Sequence, residues 1–83
     1  MQMSEIMLLV EAHKKARSGD AKRIRQQAGL TMSQVAAVVG VGESTVSRWE
    51  GGSRKPRGEH ALKWAALLNE LERTTAPVAA SAA

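Results

Sequence analysis

The sequence predicts an all-α domain of five helices, and three observations lead there. Apolar residues recur at three- and four-residue intervals in successive segments, and no segment shows the period-two alternation of a half-buried strand. Glycine punctuates the ends of those segments, at Gly19, Gly29, Gly40 and Gly51-Gly52. At 83 residues the chain is long enough for one small domain with a thin core. It contains no cysteine, which excludes disulfides, thiolate metal sites and thiol nucleophiles together.

Each element has its own signal. A first helix begins at Ser4 or its neighbour and runs through Ile6, Leu9, Val10 and His13 to about Ala16, where Ser18-Gly19-Asp20 breaks it. Asp20 reads as the N-cap of the second helix, with Ile24 and Ala28 inward and Lys22, Arg23 and Gln26 outward; Gly29 follows its last turn. Thr31 then caps a third helix, and Gln34 three residues later completes a capping-box pattern. Val35, Ala36 and Val39 form its apolar stripe, and Gly40-Val41-Gly42 is a turn in which Val41 is expected to plug the angle between helices. The fourth helix spans Glu43 to Glu50 with Val46 and Trp49 inward, and Gly51-Gly52-Ser53 stops it. Arg54-Lys55-Pro56 is a basic loop that cannot continue as helix. A fifth helix, Gly58 to about Glu72, carries Leu62, Ala65, Leu68 and Leu71 on a face widened by Ala61, Trp64 and Leu67. Residues 1–73 therefore read as the folded domain, and 74–83, which lack large apolar side chains apart from one valine, as a disordered tail.

The third and fourth helices are short, joined by a glycine-hinged turn, and able to cross closely because Ala36 is small. Such a pair leaves the outer face of the second helix free, and here that face is Glu43, Ser44, Thr45, Ser47 and Arg48. A helix-turn-helix uses that face to enter the major groove of DNA, so 31–50 is the expected unit and 43–50 its recognition helix. Charge agrees with an anionic partner: twelve Lys and Arg against eight Asp and Glu give +4. Cations concentrate at Lys14, Lys15, Arg17, Lys22, Arg23 and Arg25, and again at Arg48, Arg54, Lys55 and Arg57. The start of the chain lacks the basic segment of a signal peptide, and the apolar run Ile6 to Val10 is too short to span a bilayer. No membrane role, cofactor or metal is expected. His13 and His60 are isolated, no phosphate-cradling loop links a strand to a helix, and no enzyme activity is expected.

The stretch from Ile24 to Pro56 resembles the Cro and lambda-repressor class of helix-turn-helix proteins, the XRE family. The resemblance rests on Arg25-Gln-Gln-Ala-Gly-Leu30, Thr31-Met-Ser-Gln-Val-Ala36, Gly40-Val-Gly-Glu-Ser-Thr-Val-Ser-Arg-Trp-Glu50, Gly52 and Pro56 at the family's spacing. It implies a lambda-repressor-like domain that binds double-stranded DNA as a transcriptional regulator, working in a bacterial cytoplasm or nucleoid. The sequence departs from the family in an added N-terminal helix and in one long helix where two short ones usually follow the loop. Both departures fall where such proteins often dimerise, so a homodimer through either terminal helix and a monomer are both open.

The resemblance also distributes roles. Glu43, Ser44 and Thr45, with Ser47 and Arg48 one turn on, correspond to base-reading positions. Arg48 can hold O6 and N7 of guanine through two hydrogen bonds, or clamp a phosphate. Glu43 can accept from a cytosine amino group, pair with Arg48, or simply favour a helix N-terminus. Thr31 and Ser33, at the start of the third helix, and Arg54, Lys55 and Arg57 are phosphate candidates. Arg25 and Glu50 match an ion pair that braces the recognition helix and can steer Arg25 toward phosphate. Trp49 and Trp64 sit at apolar helical positions and read as core. The leading function is a Cro-like or compact repressor, of phage or plasmid type, that occludes a promoter. The alternatives are an excisionase-like DNA-bending protein and an antitoxin-type protein-interaction module.

Overall fold

The structure, a computed structural model, describes residues 2–74. It contains α1 (Met3–Ser18), α2 (Asp20–Gln27), α3 (Met32–Val39), α4 (Glu43–Glu50) and α5 (Gly58–Thr74), the all-α architecture that the periodicity predicts. Of the expected tail, Thr74 closes α5 and 75–83 lie outside the described residues.

Local chemistry sets the boundaries. The α3 capping box is reciprocal: the Gln34 amide donates to Thr31 Oγ1 at 3.0 Å and the Thr31 amide to Gln34 Oε1 at 2.9 Å. At the other end Gly40 adopts φ +88° and its amide returns to the Ala36 carbonyl at 2.8 Å. A side chain there would be strained by the left-handed backbone. His60 Nδ1 lies 3.0 Å from the Val39 carbonyl, so α5 helps to close the exposed end of α3.

One boundary differs from expectation. Asp20 is not a cap: it opens the first turn of α2, and its carboxylate takes the Arg23 guanidinium at 2.6 Å. The cause is the length of α1, which continues to Ser18 and leaves Gly19 alone between two helices. Gly19, at φ +87°, both ends α1 and caps α2. Asp20 still places a negative charge where the helix dipole favours it.

The core lies where α1, α2 and α3 meet α5, with α4 joining through Trp49. Trp64, Val39 and Val46 are completely buried, and Trp49 stacks on Trp64 with ring centroids 5.1 Å apart. Val35, Ala36 and Ile24 close the core from α2 and α3, and Val41 packs against it from the turn. Ala12 and Ala16 let α1 lie close to its neighbours, and Lys15 bridges to Glu72 of α5 at 2.7 Å. Thus the two terminal helices pack on one another. The N-terminal half of α1 is nevertheless open: Met3, Ile6, Met7 and Val10 are 79, 46, 51 and 40% exposed. Leu8, Leu9, Ala12 and Ala16 already supply the stripe that α1 buries, and a domain this small has no further layer to cover the other face.

Thr31→Ala should lower the stability of the fold by about 1 kcal/mol in a urea titration, with Thr31→Ser nearly neutral. Equal losses for the two would show that the hydroxyl does not hold the α3 terminus.

Candidate nucleic-acid interface

Helix α4 divides its residues cleanly. Val46, Trp49 and Glu50 are buried, while Glu43, Ser44, Ser47 and Arg48 are exposed and Thr45 is half-buried. The chain enters α4 through Gly42 in an extended conformation, so the first turn begins directly at Glu43. The Thr45 amide already returns to the Gly42 carbonyl at 3.1 Å, so the Glu43 and Ser44 amides are the ones that precede the first intrahelical bond.

Glu43 makes no ion pair with Arg48, nor with any other cation among the described residues. Five positions along a helix turn the two side chains well away from each other, whereas three or four would bring them together. In this structure Glu43 therefore stands apart from Arg48. Its charge lies at a helix N-terminus, where it is favourable.

Two features hold α4 in place. The first is its packing through Val46 and Trp49. The second is a forked ion pair at its end: Arg25 Nε donates to Glu50 Oε2 at 2.6 Å and Nη2 to Oε1 at 3.2 Å. Nη1 of the same guanidinium donates to the Leu30 carbonyl at 2.8 Å. The side chains of Arg25 and Glu50 are only 8 and 5% exposed. One residue thus ties α2, the turn before α3 and the end of α4. With three of its five N–H donors turned inward and its side chain buried, Arg25 stands as a brace.

The flanks of α4 are cationic. Arg54, Lys55 and Arg57 are all exposed, while the intervening Pro56 is buried and anchors the loop. A groove beside α4 is lined by Thr45 and Trp49, by Arg54, Lys55 and Arg57 of the loop, and by His60 of α5. The structure therefore puts the loop cations beside the candidate base-reading helix. On the opposite side a smaller groove is lined by Lys22 of α2, Met32 at the start of α3 and Ser47 of α4. Thr31 and Ser33 are exposed at that α3 terminus. The sequence marks Lys22 only as an outward cation of α2. The available signal was its place one helical turn before Arg25, whose partner Glu50 belongs to α4.

Two short helices crossing over a shared apolar seam, the second braced from behind and open in front, define a helix-turn-helix module. A helix-turn-helix family model matches residues 22–73, more than half of the chain, and the chain belongs to that family, in its XRE branch. It is accordingly a DNA-binding regulator of the XRE type. Helix α1 lies outside the matched residues. No curated protein and no solved structure matched the chain. None of its helices, among the described residues, is long and apolar enough to cross a membrane.

Removing one partner of a buried ion pair strands the other charge. Glu50→Ala should therefore lower stability by about 3–5 kcal/mol in chemical denaturation. The double change Arg25→Met with Glu50→Leu should recover most of that loss; if it is no better than Glu50→Ala, the pair does not act as a unit.

Proposed function

We propose that the protein is a sequence-specific, Cro-like repressor that occludes a promoter by placing α4 in the major groove of double-stranded DNA, in a bacterial cytoplasm or nucleoid. The observation that carries this reading is the division of α4 into a buried apolar face and an exposed face of Glu43, Ser44, Ser47 and Arg48, bordered on both sides by cations. An apolar outer face would instead suit a protein-interaction module.

In this reading Arg48 reads guanine through two hydrogen bonds, and Ser44, Thr45 and Ser47 meet neighbouring base edges or a thymine methyl. Glu43 accepts from a cytosine amino group, its charge offset by the helix terminus. Phosphates of one strand meet the first-turn amides near Thr31 and Ser33, with Lys22 beside them. Phosphates of the other strand meet Arg54, Lys55 and Arg57. The phosphate contacts set register and affinity, and the α4 contacts set sequence.

Arg48→Ala should weaken binding to the selected site by about 1–3 kcal/mol and relax preference at one base pair. An equal loss on every sequence would make Arg48 a phosphate contact only. Lys55→Ala should weaken binding to all duplexes and reduce the log–log salt slope by about 0.9; an unchanged slope would remove Lys55 from the footprint. Selection of sites from random duplex DNA supplies the substrate for both measurements. A palindrome with half-sites one turn apart is the signature of two copies, an asymmetric site that of one. A strong bend in a circular-permutation gel would favour the architectural role over promoter occlusion.

A further inference from the structure

The basic loop is a ridge between two grooves. Lys55 and Arg57 line the groove beside α4 and also a second one, on the side of α1. This second groove is mostly apolar, built on Ile6, Leu9, Val10 and Pro56, and its rim adds Lys14 and Arg17 to the two loop cations. Ile6 and Val10 are 46 and 40% exposed, and the Arg17 stem passes beside Gly52, two residues beyond α4. His13 also lines the groove, and its Nδ1 is buried without a hydrogen-bond partner.

We propose that this groove is a docking site for a short acidic, amphipathic segment of another protein, with apolar side chains seated on Ile6, Leu9 and Val10 and carboxylates meeting Lys14, Arg17, Lys55 and Arg57. The occupant follows from the pairing of an apolar floor with a rim of one sign. A phosphate backbone would use the four cations and gain nothing from the floor. A second copy packed two-fold through this groove would set the four cations against their own duplicates. An acidic segment satisfies both parts at once. Because Lys55 and Arg57 border both grooves, occupancy of the α1 side withdraws cations from the DNA side, and segment and DNA compete. This last consequence rests on the DNA reading above; the docking site does not.

The probe is a fluorescein-labelled, helix-forming peptide with leucines on one face and aspartate and glutamate elsewhere, compared by anisotropy with a scrambled peptide of equal composition, on the full chain. The ordered peptide should bind at least tenfold more tightly than the scrambled one. Ile6→Ser with Val10→Ser should erase that preference while leaving the thermal transition in place, since both side chains are already partly open to water. Lys14→Gln with Arg17→Gln should weaken both peptides about tenfold.

Equal binding of the two peptides, or a preference that survives loss of Ile6 and Val10, overturns the site. So does a chain that sediments as a dimer and is made monomeric by Ile6→Ser with Val10→Ser, because a second copy then fills the groove. A salt slope for duplex DNA that falls on Lys14→Gln with Arg17→Gln, without any peptide preference, assigns those cations to DNA and likewise overturns it. Excess ordered peptide should displace duplex DNA; a peptide that binds and leaves DNA in place overturns the competition alone, and a chain that binds peptide but no duplex overturns the DNA reading instead.

Discussion

Glu50 is a carboxylate taken out of water at the end of a helix eight residues long, and only the forked contact with Arg25 makes that position tenable. The arrangement of α2, α3 and α4 depends on it. A helix of two turns has little intrinsic stability, so its direction is set by what it packs on and by how its ends are held. Val46 and Trp49 fix which face of α4 looks inward, and Glu50 fixes where the helix ends relative to α2. The third Arg25 contact, to the Leu30 carbonyl, extends the same constraint to the turn from which α3 departs. The outer face of α4 stays open because the Val46, Trp49 and Glu50 restraints lie behind it.

How much of this could be read from the sequence varied with the range of the interactions involved. The limits of α3 and α4 were legible because short-range chemistry sets them: Thr31 with Gln34, Gly40 at a left-handed turn, and Gly51 following Glu50. The inward positions of Val35, Val39, Val46 and Trp49 followed from helical period for the same reason. Asp20 has the chemistry of a cap yet lies inside α2, because the cap position depends on where the preceding helix stops and α1 runs on to Ser18. Periodicity also showed that α1 is rich in apolar residues without showing which of them a neighbour would cover. Its neighbours cover Leu8, Leu9, Ala12 and Ala16 and leave Met3, Ile6, Met7 and Val10 open. Contacts between distant segments leave the weakest trace. Arg25 and Glu50 could be paired only through the family resemblance, and the place of Lys22 beside α3 and α4 emerged only from the packing.

Helix α1 lies outside the family match, yet it is an integral part of the packing. It contributes Ala12 and Ala16 to the common core, reaches α5 through Lys15 and Glu72, and meets the exit of α4 where Arg17 lies on Gly52. Its single-residue junction with α2 leaves it little freedom to swing independently of the module it joins. The addition therefore lends the basic loop a second flank, and surface that would otherwise be solvent-facing loop becomes the wall of a groove.

The two tryptophans carry a practical consequence. The chain has no tyrosine and no phenylalanine, so its aromatic absorption and intrinsic fluorescence come entirely from Trp49 and Trp64. Both are buried, and their rings lie 5.1 Å apart at a 36° tilt, close enough for their excited states to couple. Near-ultraviolet dichroism of this protein is thus a direct optical record of one contact, the seam between α4 and α5. That signal would vanish when the seam opens, even if the helices themselves persisted.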